Sequence, residues 1–483
     1  MAAGLLLAGS GPAWAADVSA GSPPPAEAPA APPAAPHWPL PTNAEIRQIL
    51  IDRIDVQRQS EGIVVGIIDA HGRRVVSYGV LDKGDPKPVG EDTMFEIGSM
   101  TKVFTSLILA DMVQRHEVAL DDPVAKYLPR GVKVPERGGK QITLIDLATH
   151  TSGLPPLPTN FAPKDASNPY ADYTVDQLYQ FLSGYTLTRD IGSKYEYSNL
   201  GGGLLGRALS QRAGLDYESL IKARITGPLG MDSTAIALTP AMKARLATGH
   251  SANLEPTPNW DLPTLAGAGA LRSDADDMLT FLAAELGYKP TPLVAAMKAQ
   301  IEPRRPTGRP NLEVALGWHI FDVPAGQIVW HNGGTGGYRT FMGFDAKAGV
   351  GVVVLSNTST QSGVDDIGVH LLTGAPLLKP RPPVEHHEIV VNPEVLKGHA
   401  GRYQLAPNVF MDITFEDGRL FAQLTGQAKY EVFPETPARV FWKVVDAQAD
   451  FAVDEKGHTV GLIMHQSGRD LPAPRVDAPA AGK

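Results

Sequence analysis

Cysteine is absent from this 483-residue chain. That absence excludes structural disulfides, a thiol nucleophile, Cys-ligated zinc and thiolate-held iron–sulfur clusters. Covalent chemistry, if there is any, then falls to an oxygen nucleophile or to lysine. Basic runs are missing as well. With 43 Lys and Arg against 52 Asp and Glu, the formal net charge is −9, which argues against nucleic acid as a partner. No segment reaches the roughly 18 uninterrupted apolar residues of a membrane span, so no integral span is expected. Glycine and proline, by contrast, are plentiful at 49 and 42, and they imply many turns or extended linkers. The length suits two or three ordinary domains with a large core.

Met1 to Ala8 is small and apolar, and Ala13-Trp14-Ala15 has the A-x-A form of a signal-peptidase site. We read 1–15 as a signal peptide and the chain as periplasmic or secreted. Residues 16–42 are Pro/Ala-rich linker, a composition that cannot bury a core. Hydrophobic periodicity predicts a helix over Ala44–Arg58, then strands Ile63–Asp69 and Arg74–Val80. Helices follow at Thr101–Gln114, Thr174–Leu182, Gly202–Arg212, Tyr217–Arg224 and Ala275–Leu286. Strands return at Val314–Val323, Gln327–His331, Tyr338–Asp345 and Gly349–Ser356, before a helix over Val364–Leu372. Early strands, a helical middle and late strands make an α+β domain over 43–376, its sheet completed from both ends. A linker at 377–392 contains Lys379-Pro-Arg-Pro-Pro383. Short alternating segments then predict a small all-β module over 393–470, and 471–483 reads as a frayed tail.

Three short motifs carry chemistry. In Ser99-Met-Thr-Lys102, a strand-like segment meets a helix start. Residues three apart on a helix share a face, and the helix N-terminus offers N–H groups to a developing oxyanion. Lysine can take the serine proton if burial lowers its pKa. The spacing recurs in Ser219-Leu-Ile-Lys222, but inside a predicted helix, where it reads as structural. Tyr197-Ser-Asn199 precedes another helix, and none of the other 12 tyrosines has Asn two residues later. A phenol beside Lys⁺ can shift toward phenolate, and an Asn amide can orient a carbonyl; the same residues also serve as ordinary caps. His331-Asn-Gly333 opens a glycine run, Gly333-Gly-Thr335-Gly-Gly, where backbone can approach a ligand. A second H-x-G, His399-Ala-Gly401, lacks that setting.

Together, in this order, the motifs resemble those of the serine β-lactamase and penicillin-binding-protein superfamily, in its class C-like branch. Supporting landmarks are Phe95-Glu-Ile-Gly-Ser-Met-Thr-Lys102, Leu120-Asp-Asp-Pro-Val124, His150-Thr-Ser-Gly-Leu-Pro155, Pro228-Leu-Gly-Met231 and Gly269-Ala-Leu-Arg-Ser273. The resemblance spans about Asn43 to Leu372. It implies a β-lactamase/transpeptidase-like domain, an antiparallel sheet flanked by helices with a helical subdomain. The β module is similar to a barrel-like lipocalin domain appended to such hydrolases, with Leu396, Gly401 and Tyr403 in its opening signature.

By this resemblance, Ser99 is acylated, Lys102 activates it, and Tyr197 is the general base. Asn199, His331, Gly333, Gly334 and Thr335 bind substrate, and the N–H groups of Ser99 and Gly334 form the oxyanion hole. His331 stands where the family has a lysine, and Asn332 where it has a hydroxyl. His331 would carry part of a charge near neutrality. Arg339 reads as solvent-facing, with the alternative that it restores the missing cation. His150 reads as a turn stabiliser, and Glu385, His386, His387 and Glu388 as a solvated cluster in the linker. Neither cofactor nor metal is expected. The implied activity is that of an exported penicillin-binding DD-peptidase or D-amino-acid peptidase. An esterase, a class C-like β-lactamase and a non-catalytic wall- or antibiotic-binding module are the alternatives. The partner is a small molecule or peptide, and oligomeric state is left open.

Overall fold

Gly62–Asp69 (β1) is a Val/Ile run buried almost end to end, as suits a strand covered on both faces. It forms a hairpin with Gly72–Gly79 (β2) and pairs on its other side with Val350–Ser356 (β8), from Ile63↔Ser356 to Ile68↔Gly351. Between them in the chain come Arg305–Arg309 (β3), Leu312–Val314 (β4), His319–Val323 (β5), Gly326–Gly334 (β6) and Arg339–Asp345 (β7). All eight form one sheet in the order β2-β1-β8-β7-β6-β5-β4-β3, so both ends of the domain complete it, as expected. The computed structural model describes residues 38–476 apart from 381, 383–385, 407–408, 426, 428, 444, 446 and 467–468. The expected signal peptide, the linker up to residue 37 and the tail beyond 476 lie outside the described residues.

Asn43–Ile51 (α1) and Asp365–Thr373 (α7) cover one face of the sheet, packing Ile46, Leu50, Ile367 and Leu371 on Val65, Phe341 and Val352. A capping box between Thr42 and Glu45 starts α1. Thr101–Gln114 (α2) and Ala275–Glu285 (α6) lie against the other face, with Phe104, Phe281, Met342 and Val353 in their shared core. Because α2 is buried from Thr101 to Met112, it is a fixed platform for the residues at its N-terminus. The remaining helices, including Val175–Gly184 (α3), Asn199–Ala213 (α4) and Tyr217–Ile221 (α5), build the helical subdomain.

Four expectations need correction. Val314–Val323 is two strands, β4 and β5, because Gly317 turns the chain at φ +73 and packs directly on α2. A Cβ there would lie 2.6 Å from the Lys102 carbonyl. The helices begun at Asn43 and Tyr217 each end in a wider π-type turn, Asp52–Val56 and Lys222–Thr226. The third correction is at the C-terminus. Leu471 to Val476 are not frayed: Arg469–Val476 (β16) is the last strand of a closed eight-stranded barrel.

The barrel's other strands are Gly401–Ala406 (β9), Val409–Glu416 (β10), Arg419–Leu424 (β11), Lys429–Thr436 (β12), Arg439–Phe441 (β13), Ala447–Val453 (β14) and Thr459–Gln466 (β15). β16 runs beside β15 and closes onto β9 through Tyr403↔Arg475 and Arg402↔Val476. Side chains fill the interior, Tyr403, Met411, Trp442, Phe451 and Met464 among them. In the linker, His386 is not solvated. It stacks on Phe441 at 4.7 Å and bonds Glu435 at 3.0 Å. No helix among the described residues is long and apolar enough to cross a membrane.

Candidate active site

A single turn, Gly98–Met100, feeds α2 and leaves Ser99 partly exposed between buried neighbours. Gly98 sits at φ +52, and a Cβ on it would come within 2.7 Å of the Gly334 nitrogen. The end of β6 therefore lies directly against this elbow. One helical turn on, Lys102 donates to Ser99 Oγ at 3.1 Å, Asn199 Oδ1 at 2.8 Å and the Ala268 carbonyl at 2.7 Å. Among the described residues no carboxylate pairs with it. Burial, uncompensated by an anion, brings the amine down to about 7. Near neutral pH a large fraction of Lys102 thus has a free lone pair.

The Tyr-Ser-Asn segment is a cap and part of the cleft at once. Ser198 is the N-cap of α4, accepting from Gly201 N at 2.9 Å and donating to the Pro155 carbonyl at 2.7 Å. Flanking it, Tyr197 bonds Ser99 through its hydroxyl, and its ring centroid is 4.7 Å from Lys102 Nζ. Burial pushes this phenol up, so the expected drift toward phenolate is reversed: Tyr197 keeps its proton at rest. Lys102 is the group able to accept one. Asn199 is engaged at both ends of its amide, Oδ1 by Lys102 and Nδ2 by donation to Tyr170 Oη at 3.1 Å.

β5 pairs with β6 only as far as His319↔Trp330. His331 to Gly334 run on with β7 on one side and no strand on the other. His331 is 1% exposed. Its Nδ1 must carry the proton, because it lies 2.6 Å from the Asn332 carbonyl, which can only accept. Its Nε2 has no partner among the described residues. Burial holds the ring well below its usual pKa, so the expected partial charge is absent and His331 is neutral. Asn332 is tied to Asp365 at 2.5 Å. Gly334 is exposed at the end of β6, whereas Thr335 is buried. The Thr335 carbonyl accepts from Ser359 and Arg339.

Arg339 is not solvent-facing, and its Nη1 lies beside Gly334, where a Cβ would meet it at 2.7 Å. Half-buried, it donates to the carbonyls of Thr360, Thr335 and Tyr338 at 3.1 to 3.2 Å and braces the glycine turn. His150 does stabilise a turn, at φ +57. Its Nδ1 also accepts from Ser198 N at 3.2 Å, and its ring is 4.5 Å from that of Tyr197. Sequence reasoning missed His319, Tyr195 and Tyr170. His319 Nε2 bonds Tyr195 Oη at 2.9 Å and its ring is 5.2 Å from His331. The Tyr195-x-Tyr197 spacing was a signal for one of them; His319 and Tyr170 arrive from distant segments without one. The repeated motifs are structural. Ser219 donates to Asp216 in the α5 cap at 2.6 Å, and His399 stacks on Phe451 at 4.1 Å. The described residues contain no group of His, Asp or Glu suited to a metal ion.

A neutral amine beside a serine hydroxyl, a phenol on the same oxygen and backbone N–H groups at a helix start can together support nucleophilic attack on a carbonyl. Comparisons with known proteins agree with such chemistry. A family model described as Beta-lactamase matches residues 46–375, and one described as Domain of unknown function (DUF3471) matches 386–476. D-alanyl-D-alanine-carboxypeptidase/endopeptidase AmpH of Escherichia coli (strain K12) is 30% identical over 366 residues, covering 70% of this chain and 93% of its own length. Penicillin-binding protein 4* of Bacillus subtilis (strain 168) is 25% identical over 455 residues, 89% of this chain and 98% of its own. Among solved structures, a beta-lactamase/D-alanine carboxypeptidase from Yersinia pestis complexed with citrate has a TM-score of 0.58 at 28% identity. That match covers 66% of this chain and 95% of the other.

Proposed function

This chain belongs to the beta-lactamase family of hydrolases, and we propose that it cleaves peptidoglycan-type D-amino-acid peptides in the periplasm through an acyl-enzyme on Ser99. The observation that carries this is Lys102, an amine with a pKa of about 7 and 3.1 Å from Ser99 Oγ. In its neutral form it takes the Ser99 proton as Oγ attacks the scissile carbonyl. The N–H groups of Ser99 and Gly334 receive the oxyanion. Tyr197, still protonated, hands its proton to the leaving amine and is resupplied from Lys102. With water in place of the amine, the same relay run backwards releases the acyl group. Asn199 orients the substrate amide beside the reacting bond. A peptide substrate is supported by the carboxypeptidase relative and by the penicillin-binding relative, whose match extends through the barrel.

A second activity, hydrolysis of small acyl esters, is favoured by one feature. His331 is neutral and Asn332 is held by Asp365, so neither of these two residues offers a cation or a hydroxyl to a substrate carboxylate. Intact-mass measurement after incubation with penicillin, a D-Ala-D-Ala peptide and an activated ester distinguishes the two. A peptidase gives a penicilloyl adduct on Ser99 and free D-Ala; no D-Ala release and no adduct would sink the peptidase assignment, and ester turnover alone would select the second.

The lysine also sets the pH dependence. Below about 7 Lys102 is protonated and cannot accept the serine proton. Acylation is therefore expected to fall about tenfold per pH unit on the acid side and to level off above neutrality. Initial rates with an activated ester at saturating and limiting concentrations check this. A rate that rises toward acid would exclude Lys102 as the proton acceptor.

A further inference from the structure

A cation lies beside the oxyanion donor without an anion to meet it. Arg339 opens β7 and pairs across the sheet with Gly334, so their side-chain positions share one face of the sheet. Gly334 has no side chain, and the guanidinium occupies the space one would take: a Cβ there would lie 2.7 Å from Nη1 and 3.3 Å from Cζ. Nη1 is therefore within about 4.2 Å of the Gly334 Cα. Gly363 packs on the same side chain, where a Cβ would be 3.6 Å from Cδ. Nε donates to the Thr360 carbonyl and Nη1 to those of Thr335 and Tyr338, which uses every proton on those two nitrogens. Nη2 keeps both of its own. It bonds nothing among the described residues and is not one of the unpaired polar atoms sealed in the interior.

The charge is equally unmatched. No carboxylate among the described residues forms an ion pair with Arg339: Asp365, whose charge acts on it, is bonded to Asn332 instead. Burial brings the guanidinium down only to about 10, so it is a cation at neutral pH. Holding a charge partly out of water without a counterion is costly, and three carbonyls fix this one in place before any ligand arrives. Its position says which anion fits. His331 to Gly334 have no strand on their outer side. A substrate lying there with its scissile carbonyl on Gly334 N has its C-terminal carboxylate one residue on, about 3.5 Å along the chain. His331 is neutral and Asn332 is engaged, so neither meets that carboxylate. Nη2 of Arg339 can.

We propose that Arg339 is the specificity-determining residue for the leaving group, its Nη2 pairing with the C-terminal carboxylate of the residue that the substrate releases. This rests on the peptidase reading given above and narrows it to cleavage of a terminal residue that ends in a free carboxylate. The cation comes from β7 rather than from the His331 position on β6. With its other two nitrogens held by carbonyls, the guanidinium offers one charge-assisted contact and no bidentate fork. A site built to hydrogen-bond such a group discriminates against substrates that lack it.

The test uses the full chain and two peptides with the same scissile bond, diacetyl-L-lysyl-D-alanyl-D-alanine and its C-terminal amide, with release of D-alanine or D-alaninamide followed. The native enzyme is expected to prefer the acid about tenfold in kcat/KM, as one hydrogen bond to a charged group predicts. In Arg339→Gln that preference is expected to disappear, with most of the change in the KM of the acid. Losing the carbonyl bonds that brace the glycine turn lowers both substrates together. An equal fall for both peptides, or an unchanged ratio, would therefore overturn the assignment. So would a native enzyme that does not distinguish acid from amide, a result that needs no variant. Cleavage of neither peptide by the native enzyme would instead refute the peptidase reading, and this inference with it.

Discussion

Lys102→Met is expected to lower kcat/KM by about 10³- to 10⁴-fold, the worth of a well-placed general base, and to erase the inflection near pH 7. Methionine has a similar stem and volume, so the sleeve that holds the lysine is kept. That sleeve is tight: a Cβ on Gly202 would lie 3.0 Å from Lys102 Cε, and the ring of Tyr197 covers the amine. What is lost is the lone pair facing Ser99 Oγ, together with the donor that fixes Asn199 Oδ1. Tyr197 cannot replace it, because burial keeps the phenol protonated. Circular dichroism and thermal unfolding establish that the variant is folded. A folded variant with activity within tenfold of native, or with the same pH profile, would mean that the serine proton goes elsewhere.

The second large effect is expected at Gly333, which touches no reacting atom. A methyl there would run into the Ile97 carbonyl and the Thr340 hydroxyl, which already bond each other at 3.0 Å. Both obstacles belong to the structure that holds the Ser99 elbow, so Gly333→Ala drives β6 away from it. Gly334 moves too, and its nitrogen is the oxyanion donor packed against Gly98. Displacing such a donor by about 1 Å costs about 10²-fold in kcat. KM should change less, and the protein should still fold. Gly184→Ala, where nothing lies within 4 Å, is the matched control and should stay near native. A Gly333→Ala enzyme with native kcat would show that β6 can shift without disturbing the chemistry.

Local pattern made much of this molecule legible. The continuous Val/Ile run of β1 and the long apolar stretch of α2 announce their elements, and α2 begins and ends at Thr101 and Gln114 as predicted. Breaks inside apolar runs did not announce themselves. Val314-Ala-Leu-Gly-Trp318 reads as strand, and only the close approach of Gly317 to α2 shows why the chain turns there. β16 was hidden by Pro472 and Pro474, which normally speak against a strand. Both lie beyond the two residues by which β16 reaches β9, so on that side their missing N–H groups remove no ladder bond. At the site, Ser99, Lys102, Tyr197, Asn199 and His331 could be picked out because each sits at a junction of elements. Charge states could not be read the same way. His331 is neutral and Tyr197 protonated because of what buries them, and that burial comes from His319, His150 and Tyr170, far away in sequence.

The pairing of β1 with β8 also has a consequence in time. Ile63 meets Ser356, so a ribosome must add roughly 290 residues before the first strand of the sheet can find its second neighbour, and contacts this distant in sequence form slowly. Until then the β1–β2 hairpin presents an apolar edge to any other strand it encounters. The catalytic elbow, whose Gly98 packs on Gly334, cannot be seated until β6, one of the last strands of that sheet, has been made.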